Sequence, residues 1–316
     1  MLGLKKVLFD QPQQPTVPDG WPFRVLLAIA ALMRSFGALL AMGTSSILLT
    51  FAFEPLLGFF PMPRRLGENL LQGIPALIMC LLVSWLLLRY AHQSRLSELG
   101  LSIQLTTLRE LAFALFWGAS ALTLTVAPLL FFGLGDFVPA ATKIRGPVGL
   151  SILLVLLVIA AIGEELFMRG YAFQTLIQPL HLMGALLFTS ATFALLHWAN
   201  PGANEFTIAN TFLAGCALGM LFVIRRSLWA PIGAHFGWNL ATILFGLNVS
   251  GLSMPIVPFT IAWRINPIWT GGQYGPEGGL ACTIMLCLLI LLESFLYHRQ
   301  YTFSPVLLDL PPAETE

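Results

Sequence analysis

Three short clusters of polar side chains sit inside otherwise apolar stretches of this sequence, and their types and spacing suit hydrolytic chemistry. The first is Glu164-Glu165-Leu166-Phe167-Met168-Arg169. On a helix, Glu165 and Arg169 are i,i+4 neighbours on one face, whereas Glu164 points roughly a quarter turn away. One guanidinium cannot neutralise two carboxylates. The natural division is a structural ion pair, Glu165 with Arg169, and an unpaired carboxylate, Glu164, of the kind that serves as a general base. The second cluster places Phe193 one helical turn before His197, and the third places His235 one turn before Asn239. Gly233 and Gly237 form a small-xxx-small pair on nearly the opposite side of that third helix, where a neighbouring backbone could approach and leave the His235/Asn239 face to a cavity. The similar Gly215/Gly219 pair reads as packing alone.

Each cluster has a plainer explanation: an ion-pair triad that orders a bundle, or a histidine bonding one helix to another. Together they describe one carboxylate, two imidazoles and a carboxamide meeting in a dry cavity, which is a hydrolytic constellation. A depth check agrees. Counted from the inner helix ends at ~1.5 Å per residue, Glu164 and His197 lie about 20 Å up and His235 about 12 Å up.

The elements that must carry these residues are membrane helices. Of 316 residues, 57% are hydrophobic and only 10% charged, with a mean hydropathy of +0.82. A soluble fold with less than half the usual ~25% of charged residues could not coat its own surface, so a soluble enzyme is excluded. The net charge of +1, without a basic run, gives no reason to expect a nucleic-acid partner. Cys80, Cys216, Cys282 and Cys287 lie in apolar stretches without a CxxC pair and read as small core residues.

A spanning helix needs about 20 apolar residues. That ruler gives an all-α polytopic protein with about eight transmembrane helices, near 35–53, 70–88, 111–132, 149–177, 183–198, 208–224, 228–247 and 280–297. The division expected is a mobile cytoplasmic tail over 1–24, N-terminal helices over 25–147, a catalytic core over 148–247, an extracytoplasmic loop over 248–279, and a last helix and tail over 280–316. Arg34 and the long polar lead make a cleavable signal peptide a poor fit. With the N-terminus inside, inner segments hold Lys5, Lys6, Arg24, Arg34, Arg89, Arg95, Arg109, Arg225, Arg226 and Arg299. The outer ones hold Arg64, Arg65, Lys143, Arg145 and Arg264. This bias favours cytoplasmic termini, and the plasma membrane is the expected location. The 248–279 loop, with Trp263, Trp269 and Tyr274, reads first as an interfacial aromatic segment and second as a lid over the cleft.

The three clusters, in this order and approximate spacing, resemble the CPBP intramembrane protease family, also called the Abi or type II CAAX prenyl endopeptidase-like family. Ser227-Leu228-Trp229-Ala230-Pro231 looks like that family's lead-in to the last motif, and Glu98-Leu99-Gly100-Leu101 resembles a less specific family segment. The resemblance implies a membrane endopeptidase acting on a membrane-associated peptide or lipidated protein in the bilayer. Glu164 would activate a water with help from His197, His235 and Asn239 would stabilise the oxyanion, and Glu165, Arg169 and Phe193 would support the site. A metal stays open, because Glu164, His197 and His235 could also make a two-histidine, one-carboxylate zinc site. No HExxH is present, and a glutamate-activated water explains the same residues without a cofactor, which is the reading preferred. A non-catalytic scaffold or regulator on the same fold is the alternative. A proton-relay transporter is disfavoured by the lack of an inverted repeat.

Overall fold

The protein is described here by a computed structural model covering residues 64–141 and 146–303, with short helical stretches between residues 29 and 51. The expected tail over 1–24 and parts of the span near 35–53 lie outside the described residues, as does the tail beyond 303.

The protein is an all-α integral membrane protein. Its long helices are α1 (Arg64–Leu87), α2 (Leu105–Phe131), α3 (Gly146–Arg169), α4 (Tyr171–Leu196), α5 (Glu205–Arg225), α6 (Trp229–Leu244) and α7 (Leu280–Phe303). Six spans among the described residues are long and apolar enough to cross a bilayer, and the count of eight is not confirmed by them. The span expected over 228–247 is α6, a helix of only 16 residues. Large apolar side chains face outward, among them Phe116, Val148, Leu195 and Leu291, as lipid-facing positions should.

Local chemistry sets the helix ends. Asn204 caps α5 by accepting from the backbone N–H groups of Phe206 and Thr207, both at 3.0 Å. Arg226 closes α5 in the left-handed region, and α6 starts three residues later. A kink breaks α4 at His181, whose φ of 58° and ψ of 170° fall between the spans expected over 149–177 and 183–198. Gly100 docks the 98–101 segment on the start of α6. Its carbonyl accepts from Leu228 N–H at 3.1 Å, and the Trp229 indole donates to Ser102 O at 3.1 Å. Gly100 has a φ of 91° and its Cα faces the Leu228 backbone, so only glycine fits comfortably there. The two segments singled out beside the polar motifs are thus bonded to one another.

The α2–α6 seam is the tightest in the bundle. A Cβ on Gly118 would overlap the Ala234 carbonyl, and one on Gly237 would overlap the Leu115 carbonyl. Gly233 packs on Ala114. The small-residue face of α6 therefore meets a backbone, as its spacing suggested. Gly215 needs a correction: it packs on Ser190, but its carbonyl also takes a guanidinium N–H from Arg169.

On the side of the membrane to which α2 and α6 lead, β1 (Gly135–Pro139) pairs antiparallel with β2 (Phe259–Trp263), Phe137 opposite Ile261. This ribbon joins the connection that follows α2, described to residue 141, to the 248–279 loop. Gly118→Val should lower stability by about 1–3 kcal/mol through overpacking at this seam. Gly43→Ala, with open space around its Cα, should leave stability unchanged or slightly raised. Thermal unfolding in detergent or nanodiscs checks the pair.

Candidate active site

The apolar residues Leu153, Leu156, Leu157 and Ala161 bury one side of α3, and that register carries Glu165 and Arg169 inward two turns further on. Both are fully buried, at 0% and 1% exposure. Arg169 pairs with Glu165 at 3.0 Å, donates to Gly215 O at 2.7 Å, and lies 5.1 Å from the Phe193 ring centroid. The expected ion pair is present, and it has a member that spacing could not reveal. His235 Nδ1 stands 2.9 Å from Glu165 Oε1.

His197 is the first residue beyond α4, in a single 3-10 turn, His197–Ala199. Its Nδ1 donates to the Phe193 carbonyl at 2.8 Å. The Phe193 ring packs edge-on against both imidazoles, with centroid distances of 4.5 Å to His197 and 6.3 Å to His235. Each Nδ1 faces an oxygen that can only accept, a carbonyl for His197 and an ionised carboxylate for His235. That places a proton on Nδ1 in both rings and turns both Nε2 atoms toward Glu164.

Glu164 Oε2 lies 3.9 Å from His197 Nε2 and 3.8 Å from His235 Nε2. It is buried and has no hydrogen-bond partner. These gaps are too long for direct hydrogen bonds and suit one bridging water. Glu164, His197 and His235 are therefore brought together. Asn239, buried at 7% exposure, joins His197, His235 and Phe193 in the wall of a cavity of about 90 Å³, room for a handful of waters or one side chain. Glu164 is not part of that wall and meets the site through the two Nε2 atoms.

The zinc alternative invokes these same three side chains. Among the described residues, no group of three His, Cys, Asp or Glu side chains is placed to hold a metal ion. Zinc bonds of ~2.0–2.1 Å in a tetrahedron bring ligand atoms to about 3.3 Å from one another, closer than Glu164 Oε2 comes to either imidazole. The cysteines are free: Cys80, Cys216 and Cys282 are buried and Cys287 is exposed.

Sequence reasoning missed the floor of the cavity and gave the roof only as its second reading of the 248–279 loop. The loop 248–279 is more than an interfacial segment, since its Ser250 and Glu277 line the cavity. Glu277 accepts from the Trp238 indole at 3.1 Å and from the Ser250 hydroxyl at 2.6 Å. Asn210 of α5 donates to the Glu277 and Gly279 carbonyls. Tyr274, expected at the interface, is buried at 2% exposure. Burial, and then the nearby Glu277 carboxylate, raise its phenol above the ordinary range. The floor is Glu293 of α7, buried at 1% exposure. The signal for it was available: an acidic residue in the middle of an apolar span needs the same explanation as Glu164.

Residues 146–241 match the family model described as type II CAAX prenyl endopeptidase Rce1-like. The matched segment begins at the first residue of α3 and ends within α6, and it contains Glu164, Glu165, Arg169, Phe193, His197, His235 and Asn239. The resemblance carried by those motifs is thereby borne out. No curated protein and no solved structure matches the chain.

The site separates two roles that stability can read. Glu165→Ala should cost about 3–5 kcal/mol, because it leaves Arg169 buried without its anion. Glu164→Ala removes a carboxylate with an unpartnered oxygen and should leave the melting temperature at or above that of the parent. Differential scanning fluorimetry on the purified variants makes the comparison.

Proposed function

We propose that the protein is an intramembrane endopeptidase that hydrolyses a peptide bond of a membrane-associated protein or peptide. The observation that carries this reading is the buried, unpartnered Glu164 Oε2, at water-bridging distance from two imidazole Nε2 atoms. A water held there donates one hydrogen to Glu164 and is steadied by His197. Glu164 removes its proton as the oxygen attacks the scissile carbonyl, then returns that proton to the departing amine. His235, with anionic Glu165 on Nδ1, supports an Nε2–H that donates to the oxyanion, and the Asn239 amide is the second donor. Arg169 and Phe193 hold Glu165 and the two rings in place. No step needs a metal.

Cytoplasmic termini in a plasma membrane remain the proposed orientation, on the excess of basic residues in the inner segments. The Rce1-like match supports a membrane-embedded peptidase without specifying its substrate.

Comparing membrane-protein termini from cells carrying the unaltered protein or Glu164→Ala identifies cleavage products directly. On a product-derived peptide, Glu164→Ala and His197→Ala should each lower turnover by about 10²–10⁴-fold. Asn239→Ala should lower it by about 10²–10³-fold. Chelators should leave the rate unchanged; a loss restored by zinc would overturn the metal-free mechanism. If the Glu164/His197 double alanine variant complements a deletion strain fully, the protein is a scaffold.

A further inference from the structure

The catalytic cavity has a second polar end that the proposed hydrolysis does not use. Along α7, Cys282, Leu286, Leu289 and Glu293 face the cavity on one stripe, descending ~16 Å from the roof. The walls between are apolar, formed by Leu218 and Leu221 of α5 as well as the α7 leucines. At the bottom, Glu293 is 1% exposed and its Oε2 has no hydrogen-bond partner. The Trp117 indole is a hydrogen-bond donor to the same carboxyl. Among the described residues, no lysine, arginine or histidine nitrogen pairs with it.

Trp117, Leu221 and Glu293 also line a wider groove of about 440 Å³, which continues toward Arg225, Arg299 and Gln300. Its cations do not satisfy Glu293. Arg225 is held 3.5 Å from Glu110 and 5.2 Å from the Phe113 ring centroid. A carboxyl buried in hydrocarbon without a partner is costly, and one aimed into a cavity beside an aromatic ring is arranged for a ligand that brings a cation or a strong donor.

On the reading that this cavity binds a peptide for hydrolysis, we propose that Glu293 determines specificity by taking a lysine or arginine side chain of the substrate. The methylene stem fits among Leu218, Leu221, Leu286 and Leu289, as long basic side chains lie along apolar surface while their heads find polar partners. The charged head meets Glu293 Oε2, with the Trp117 ring beside it for a cation–π contact. The site thus selects an apolar peptide carrying one basic residue at a fixed distance from the scissile bond.

Binding can be measured without turnover. The Glu164→Ala protein in nanodiscs is titrated with labelled apolar peptides in which a single lysine is walked along the sequence, each against its norleucine counterpart. At one position, lysine should bind about 10–100-fold more tightly, the range expected of a charge-assisted hydrogen bond. Adding Glu293→Gln should bring that ratio close to unity while the norleucine peptide keeps its affinity. The inference is overturned if no position prefers lysine, or if the preference survives Glu293→Gln. The lysine–norleucine comparison needs no change at Glu293, so a poorly folding variant cannot hide the answer. Either failure leaves the hydrolytic reading standing, because that is judged on cleavage by the protein with Glu164 intact.

Discussion

Arg169 cannot be buried in this bundle unless several helices meet it at once, and the site depends on that requirement. Its guanidinium is inside an apolar helix with 1% exposure. The groups that satisfy it come from α3 (Glu165), α5 (the Gly215 carbonyl) and α4 (the Phe193 ring). Glu165 then extends the network to α6 through His235. A buried ion pair of this kind contributes little net stability over a well-packed apolar substitute, whereas losing one partner is costly. Its effect is to fix register. Four helices must take one mutual arrangement for Arg169 and Glu165 to meet these partners, and that arrangement points both Nε2 atoms at Glu164.

The division of labour between the adjacent glutamates follows from the same constraint. Glu165 is wholly committed to Arg169 and His235. Glu164, a quarter turn away on the same helix, keeps a buried oxygen without a hydrogen-bond partner. A reactive carboxylate needs freedom to gain and lose a proton, and a structural one needs the opposite. On the proposed hydrolysis, placing them side by side lets one residue build the frame from which the other acts.

Much of this was legible from the chain. Spacing revealed what lies within a helix: the Glu165–Arg169 pair, the shared face of His235 and Asn239, the turn from Phe193 to His197, and the glycine face of α6. Hydropathy revealed the spans, since lipid tolerates only satisfied backbone and apolar side chains. Contacts between elements were not legible. The bond from His235 to Glu165 joins residues 70 apart, and no periodicity encodes it. The 248–279 loop read first as an interfacial segment because the bonds of Glu277 to Trp238 and Ser250 exist only once the loop folds back. Glu293 is different: it broke the rule for intramembrane acids in plain sight, but had no motif around it to draw notice. The weight given to the 248–279 aromatics as a set also misplaced Tyr274, which is a buried residue.

The seam between α2 and α6 has a mechanical consequence. Where glycine Cα atoms rest on the opposing main chain, there is no cushion of side chains to compress, so the two helices move as a single stiff body. The β1–β2 ribbon ties together the connections that follow them, and Glu277 fastens the roof to Trp238. Asn210 likewise ties the start of α7 to α5, through the Thr283 hydroxyl and the Gly279 carbonyl, so the rim of the hollow nearest Glu277 is fastened from several helices at once.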